Sequence, residues 1–395
     1  MLKSNRNLFI IVLIALVNMI GYGIIIPILY AYSKKFGLSD FDNGLLFAIF
    51  SICQFISTPI IGRLSDRYGR RPMLLVSIGG TALSFFMTAF APNAIILFLS
   101  RALDGITAGN IPVAFAVISD STAPEDRAKA FGMIGSALSF GFVLGPALAA
   151  FTVGFGAAVP FIIAGIITTI AVILTAIYLP ETNKHMGEVR NDKLFDFPKM
   201  YRTLFDPNLG ATFMISLFFF MAFACAIIYG FQPFTLKVLK VTQAQNALLF
   251  TMFGAVGLIS QNFIVARVSK AYGMKNAFTY SLIFVGVAFV LMFFSKALPF
   301  FIVGSILLAA SNSSVQTLIP TILSREADQK SQGAVMGLNS SYQSIGMIIG
   351  PILGGFVASI AIPYAFLTGA VLVGFCYLLS FRVLRPVAEN NPRSN

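Results

Sequence analysis

The sequence predicts an all-α integral membrane protein in which twelve transmembrane helices form two pseudo-symmetric bundles of six. Of the 395 residues, 57% are apolar and only 11% are charged, whereas a typical soluble domain has about 25% charged residues. So few charges cannot cover a water-exposed surface of this size, but a surface in contact with lipid needs none. Two further observations support this fold class: a series of long apolar segments, and an internal repeat between the two halves of the chain.

Twelve apolar segments are long enough to cross a bilayer, because a helix needs roughly 20 residues to span the hydrocarbon core. We number them spans 1 to 12. They lie at about 8–30, 44–61, 73–91, 95–118, 130–153, 159–179, 209–232, 245–265, 277–294, 298–322, 333–357 and 362–381. Span 1 follows basic residues, as the apolar part of a signal peptide does. It is too long for one and lacks a small-residue cleavage site, so we expect it to be the first span.

The longest connection, at about 180–208, contains most of the polar residues between spans and separates the first six from the last six. We therefore expect an N-terminal bundle at 1–180, a cytoplasmic linker at 181–208 and a C-terminal bundle at 209–395.

The distribution of Lys and Arg predicts that both termini are cytoplasmic. With the N-terminus placed inside, 21 of the 27 basic residues fall on the cytoplasmic side, five fall outside and Arg101 lies within a span. Cytoplasmic loops of membrane proteins carry such an excess. Topology thus explains the net charge of +12, and we expect no nucleic-acid partner.

A glycine pattern is shared by the two halves. Span 5 contains Gly132, Gly141, Gly145 and Pro146, and span 11 contains Gly337, Gly346, Gly350 and Pro351, with an offset of 205 residues at every position. The loop 62–72 after span 2 is echoed at 266–276, where Lys270 takes the place of Asp66. Small residues in general allow helices to pack closely, but this does not explain a shared spacing. Parallel six-span repeats are typical of secondary transporters.

Few residues could support enzyme chemistry. The single histidine, His185, lies in a polar loop, and Cys53, Cys225 and Cys376 all lie in apolar segments. A His/Cys metal site or a disulfide framework is therefore not expected. No nucleotide-binding Gly-x-x-x-x-Gly-Lys-Ser/Thr loop occurs in the sequence, which argues against an ATP-driven pump. We expect a protein that is not an enzyme and that needs no cofactor or metal.

The loop Gly62-Arg-Leu-Ser-Asp66-Arg-Tyr-Gly69-Arg-Arg-Pro72 resembles the signature loop of the major facilitator superfamily and matches it fully. In that family the loop latches the two halves together on the cytoplasmic side in the outward-facing state. The arginines can pair with acids such as Asp120, Glu125 or Asp126, and Asp66 can stabilise a helix dipole of the other half. The resemblance implies gating roles for Gly62, Asp66, Arg67, Gly69, Arg70 and Arg71.

The pattern of Gly132, Gly141, Gly145 and Pro146 resembles the antiporter motif of the drug:proton antiporters with twelve spans, although Ala149-Ala150 replaces the closing Gly-Gly. Residues 18–27 and 101–110 also resemble that group, most closely its tetracycline and multidrug exporters. The resemblance implies a transporter that exports amphipathic drug-like molecules in exchange for protons by alternating access, and hence a role in antibiotic resistance.

Asp104 is the only acid within a span, and Arg101 is the only base. A charge at the bilayer centre is costly, so both residues are functional candidates. Their i, i+3 spacing allows them to pair. Either the pair is structural, or Asp104 exchanges a proton while Arg101 modulates its proton affinity. Some relatives carry acids where this chain has Asn18 and Gln316, so proton coupling rests on Asp104 alone or is absent.

Polar uncharged residues within the spans are candidates for the wall of a substrate cavity. They are Asn18, Tyr22, Gln54, Asn110, Tyr229, Gln232, Asn312, Gln316, Asn339, Tyr342 and Gln343, with Gln261 and Asn262 in span 8. Asn339, Tyr342, Gln343 and Gly346 are expected on one helical stripe. Each of these residues could instead form a hydrogen bond between helices.

Two other functions stay open on the same fold: a proton-independent facilitator or lipid or metabolite transporter, and a receptor or scaffold that no longer transports. The expected partners are a small amphipathic substrate, protons and membrane lipids. We expect a monomer in a bacterial cytoplasmic (inner) membrane. One buried carboxylate in a neutral cavity suits weakly basic or neutral substrates.

Overall fold

A computed structural model describes residues 2–123, 125–183, 196–327 and 331–383, and every regular element in these ranges is helical. Eleven of the helices are long and apolar enough to cross a membrane. The helix of span 12 is apolar but has only 17 residues, because it begins after Pro363. The predicted twelve-helix fold is confirmed.

Spans 1 to 6 comprise Leu2–Ile25, Asp40–Tyr68, Arg70–Ala89, Ala94–Ser121, Lys129–Phe155 and Val159–Tyr178. Spans 7 to 12 comprise Gly210–Val238, Gln243–Tyr272, Met274–Phe294, Leu298–Glu326, Gln332–Ile360 and Tyr364–Ser380. Short helices at Leu29–Ser33 and Lys34–Phe36 follow span 1, and Phe197–Thr203 precedes span 7. Residues 184–195 of the predicted linker, with His185, lie outside the described ranges.

Proline interrupts span 4 and shortens span 1. Span 4 consists of Ala94–Thr107 and Asn110–Ser121. Pro112 has no N–H to donate, and in a regular helix its ring would collide with the carbonyl of the residue four positions earlier. That residue is Ala108, which lies at the interruption. Span 1 ends at Ile25, earlier than the predicted residue 30, because Pro27 follows.

The two halves repeat the same helix pairings. Span 1 packs on span 5, span 2 on span 4 and span 3 on span 6, while span 7 packs on span 11, span 8 on span 10 and span 9 on span 12. Between the halves, span 2 packs on span 11 and span 5 on span 8. The repeat in the sequence is therefore also a repeat in space.

The halves approach each other closely at one end of the molecule. There, a Cβ on Gly355 of span 11 would lie 2.9 Å from the carbonyl oxygen of Asp40 in span 2. Tyr30 of the first half and Tyr229 of the second belong to one buried apolar cluster. We call this the sealed end.

The opposite end contains Gly69, which connects spans 2 and 3, with Arg67, Arg70 and Arg71 beside it, and we call it the basic end. Apart from the glycine's own chain neighbours and the backbone of its own helical turns, no heavy atom in the described part of the chain lies within 4 Å of a Cβ built on Gly62 or Gly337. Both glycines border the space between the halves. The halves therefore stand apart at the basic end.

The outer surface of the bundle is apolar. Large side chains such as Phe9, Ile95, Phe151, Phe300 and Leu378 are each more than 60% exposed. Such a surface suits contact with lipid tails rather than with water.

Candidate functional site: a cavity between the two halves

A cavity of about 970 Å³ lies between the two halves of the bundle. Its wall combines aromatic rings with primary amides. The rings are Tyr22, Phe50, Phe55, Phe85, Phe142, Phe220, Phe223 and Phe253, and the amides are Asn18, Gln54, Gln261, Asn312, Gln316 and Gln343. Among the described residues that line it, Asp104 is the only acid or base.

Seven predicted wall residues lie on the cavity: Asn18, Tyr22, Gln54, Gln261, Asn312, Gln316 and Gln343. Two pairs of amides hold one another in place. The Asn18 Oδ1 accepts a hydrogen bond of 2.7 Å from the buried Asn110, and the Asn312 Oδ1 accepts one of 3.2 Å from Gln316. Asn110 was also predicted on the wall, but it lies behind Asn18 and supports it.

The structure places four more predicted wall residues away from the cavity. Tyr229 and Gln232 lie at the sealed end, where Tyr229 donates to the carbonyl of Asp40 and Gln232 to that of Ile26. Asn339 accepts from Ser216 at 2.7 Å, and Tyr342 donates to the carbonyl of Met200 at 2.6 Å. These polar side chains are buried between helices and form hydrogen bonds there, although the Oε1 of Gln232 has no hydrogen-bond partner among the described residues.

The expected stripe on span 11 is divided between two faces. Consecutive residues of an α-helix are about 100° apart around its axis, so Tyr342 and Gln343 point in different directions. Tyr342 and Asn339 face the interior of the second half, together with Gly346, whereas Gln343 faces the cavity.

Sequence reasoning missed a row of small hydroxyl groups on span 11. Ser340, Ser341 and Ser344 line the cavity beside Gly337. The signal was available, because glycine and serine recur there at the i, i+3 or i+4, and i+7 positions of one helix face.

Arg101 and Asp104 form the buried ion pair that their spacing predicts. The guanidinium Nη1 lies 2.6 Å from the Asp104 Oδ2, and both side chains are at least 90% buried. The guanidinium also lies over the ring of Phe50, 4.4 Å from its centre, a favourable cation–π arrangement. Asp104 and Phe50 line the cavity while Arg101 lies behind them, so a cavity ligand would meet the carboxylate first.

The signature loop is organised around Arg70. Its guanidinium pairs with Asp66 at 2.5 Å and with Asp120 at 3.1 Å. The intervening Gly69 has φ = +108°, a backbone conformation that favours glycine. Arg67 lies 5.2 Å from the centre of the Tyr68 ring, and Arg71 donates to the carbonyl of Ala176 at 2.5 Å. The contacts described here all lie within the first half.

Glu181, the first residue of the predicted linker, also contacts this loop. Its carboxylate accepts hydrogen bonds from the backbone N–H groups of Arg70 at 2.9 Å and Arg71 at 3.1 Å. It thus caps the N-terminus of span 3, where free N–H groups and the helix dipole favour a negative charge. Asn183 donates to the carbonyl of Asp66 at 2.8 Å and ties the start of the linker to the same loop.

The glycines of span 5 bring it against span 1. A Cβ on Gly145 would lie 2.5 Å from the carbonyl oxygen of Ile20, and one on Gly141 would lie 2.7 Å from that of Leu16. Pro146 follows on the same surface, near Gly23. Gly132 differs, since no described atom outside its own helical turns lies within 4 Å of its Cβ position. Two of the three glycines therefore serve close helix packing.

Clusters of three or more potential metal ligands are absent from the described residues. Cys225 and Cys376 are buried, and each donates a weak hydrogen bond to a carbonyl.

Known proteins are similar to this chain in sequence and in fold. The tetracycline resistance protein of class H from Pasteurella multocida is 29% identical over 95% of this chain and 96% of its own length. Multidrug resistance protein 2 of Bacillus subtilis (strain 168) is 30% identical over 94% of each chain. Among solved structures, an inward-facing bacterial homologue of the lysosomal transporter Spinster has a TM-score of 0.76 at 17% identity, covering 95% of both chains.

The family model of the Major Facilitator Superfamily matches residues 11–264 and, in a second overlapping segment, residues 214–395. Together these matches include both halves of the repeat. The chain therefore belongs to the Major Facilitator Superfamily, and it is a multi-pass membrane transporter rather than an enzyme.

Proposed function

We propose that the protein exports amphipathic drug-like small molecules, of the tetracycline and multidrug type, in exchange for protons by alternating access. The observation that carries the proposal is the cavity, which combines eight aromatic rings and six amides with the single carboxylate of Asp104. Relatives named as tetracycline and multidrug resistance proteins support the same class of substrate.

The chemistry of the wall indicates what would bind. A volume of about 970 Å³ is at the upper end of the range for drug-sized ligands. Aromatic faces attract planar apolar groups and cations, and amides can donate or accept hydrogen bonds as a ligand requires. The Asp104 carboxylate favours weakly basic, zwitterionic or neutral molecules over strong anions.

The cavity is placed to load from the cytoplasm. The excess of Lys and Arg at the basic end orients that end inward, with both termini cytoplasmic in a bacterial inner membrane. The halves stand apart at this end and touch at the other, so the described state faces inward. One chain contributes both walls, and we propose that a monomer in lipid suffices.

Proton exchange is assigned to Asp104. Its carboxylate is shared between the cavity and Arg101, 2.6 Å away. A proton or a cationic substrate would therefore compete with the guanidinium for the same oxygen atoms. Displacing Arg101 as the halves rock would favour protonation, and binding of the substrate would favour proton release.

The test uses proteoliposomes with an imposed pH gradient, to which ethidium or tetracycline is added. Wild type is compared with Asp104→Asn and with the control Glu125→Gln, an exposed acid at the basic end. We expect either probe to dissipate the gradient in wild type and the control but not in Asp104→Asn.

Two results would contradict the proposal in different ways. If a probe crosses the membrane without moving protons in all three proteins, the protein is a facilitator and the Arg101–Asp104 pair is structural. If neither probe binds or crosses, the substrate class is wrong, and lipids or metabolites become the next candidates.

A further inference from the structure

Asp40 is the point on which the contacts at the sealed end converge. Its carboxylate lies 2.7 Å from the Lys34 Nζ and 3.1 Å from the Lys237 Nζ, and it accepts a hydrogen bond of 2.5 Å from the Tyr30 hydroxyl. Its backbone carbonyl accepts a second hydrogen bond, of 2.7 Å, from the hydroxyl of Tyr229. Four side chains thus bind one residue at the start of span 2.

These four contacts fall into two classes. Lys34 and Tyr30 belong to the same half as Asp40, so their contacts persist when the halves move as rigid bodies. Lys237 and Tyr229 belong to span 7 in the other half, so their contacts must break if the sealed end opens. Each class consists of one lysine and one tyrosine hydroxyl, but Tyr30 donates to the carboxylate whereas Tyr229 donates to the backbone carbonyl.

The charges at this end leave Asp40 without a substitute. The connections at the sealed end are all described, and together with the span ends beside them they contain Lys34, Lys35, Lys237, Lys240 and Lys296 but only two acids. The second acid, Asp42, caps span 2 through Ser39. Without Asp40, therefore, Lys34 and Lys237 would face each other across the seam with no carboxylate between them.

We propose that Asp40 is the gating residue of the sealed end: Lys237 and Tyr229 lock the second half to it, and their release lets the cavity open on that side. The signature loop at the basic end cannot perform this function, because it lies at the other end of span 2. The lock depends on the fold alone, so it holds whatever the substrate and whether or not protons are exchanged.

The experiment measures the separation of the halves directly. Spin labels are placed on cysteines at Phe90 and Lys296, exposed positions at the sealed end of each half, after Cys53, Cys225 and Cys376 are replaced by Ser. A second pair, at Glu125 and Asn276, reports on the basic end. Pulsed electron–electron double resonance on each labelled pair, in nanodiscs and without any substrate, then gives the two distance distributions.

Two variants break the lock and two matched variants spare it. Lys237→Met and Tyr229→Phe remove contacts between the halves, while Lys34→Met and Tyr30→Phe remove the equivalent contacts within the first half. Exposed ion pairs and single hydrogen bonds are individually weak, so we expect a roughly two- to five-fold rise in the long-distance population at the sealed end for the first two. The basic-end distance should shorten in step.

The matched variants should behave differently. Lys34→Met removes a cation that competes with Lys237 for Asp40, so its long-distance population should equal or fall below that of wild type. Tyr30→Phe should resemble wild type. The proposal is overturned if all four variants open the sealed end equally, if none does, or if both ends broaden together, which would indicate general loosening rather than release of a gate.

Discussion

The carboxylate of Glu181 accepts a hydrogen bond of 2.9 Å from the backbone N–H of Arg70, although 111 residues separate the two along the chain. Glu181 lies just after span 6, and Arg70 is the first residue of span 3. The end of the first bundle is thereby fixed to its signature loop. Asn183 donates a hydrogen bond to the carbonyl of Asp66, so two residues at the start of the linker contact the same loop.

Replacing Glu181 should weaken this loop. Glu181→Ala leaves the N–H groups of Arg70 and Arg71 without their acceptor, and loss of a helix cap costs about 0.5–2 kcal/mol. We expect a lower unfolding temperature for the detergent-solubilised protein, measured by scanning fluorimetry. Glu125→Ala, which removes an exposed acid at the same end, should unfold at the wild-type temperature. Equal behaviour of the two variants would contradict a capping role for Glu181.

The buried ion pair predicts a non-additive result. Arg101→Met alone strands the Asp104 carboxylate, and breaking one partner of a buried pair costs roughly 3–5 kcal/mol. The double variant Arg101→Met/Asp104→Leu removes both charges and should regain most of that stability. Thermal unfolding of the single and double variants measures the difference. A double variant as unstable as Arg101→Met would show that packing, rather than the stranded charge, is responsible.

Two glycines of one motif should respond in opposite ways. A Cβ at position 145 would collide with the carbonyl oxygen of Ile20, which is backbone and cannot rotate away. Gly145→Ala should therefore lower the unfolding temperature and the yield of folded protein. The Cβ of Gly132→Ala meets no described atom outside its own helical turns within 4 Å, so this variant should be neutral or stabilising by up to about 1 kcal/mol, through helix propensity. Equal losses in both variants would contradict the conclusion that Gly145, but not Gly132, is needed for close helix packing.

Asn339 and Gln343 lie one turn apart on span 11 but have different surroundings. Asn339→Ala removes the acceptor of the buried Ser216 hydroxyl, which costs roughly 1–3 kcal/mol, so it should lower the unfolding temperature. Gln343→Ala alters only the cavity wall and should change ethidium affinity, measured by fluorescence, while stability stays near that of wild type. The reverse result would place Gln343 in the core.

Much of the architecture follows from the sequence. Apolar length predicts the twelve helices, and the shared spacing of Gly145-Pro146 and Gly350-Pro351 predicts the repeat. Both glycines pack on the first span of their own half, against backbone oxygen atoms of Ile20 and Met221. The i, i+3 spacing alone predicts the Arg101–Asp104 contact. These features depend on local periodicity, which a sequence displays directly.

The errors arise where a partner is distant or a helix is interrupted. As polar uncharged residues within a span, Gln232 and Tyr229 were predicted on the cavity wall. Both instead donate hydrogen bonds to carbonyls of the other half. Tyr342 and Gln343 are adjacent in sequence but face different surroundings, because consecutive residues of a helix are about 100° apart around its axis. Glu181 reaches Arg70 only because span 6 packs on span 3. Tertiary contacts of this kind leave no signal in a single sequence.

The end of span 1 before Pro27 affects which substitutions the contact between the halves at the sealed end can tolerate. The carbonyls of Ile26, Pro27 and Asp40 are the acceptors, and the side chains of Gln232, Asn246 and Tyr229 are the donors. Because every one of these acceptors is main chain, residue 26 can vary without altering the bond that its carbonyl accepts. Each donor, by contrast, is defined by its side chain. In these three hydrogen bonds the first half contributes main-chain acceptors and the second half contributes side-chain donors, whereas the Asp40–Lys237 ion pair uses a side chain from each half. A random library should therefore tolerate substitutions far more readily at Ile26 than at Gln232, Asn246 or Tyr229.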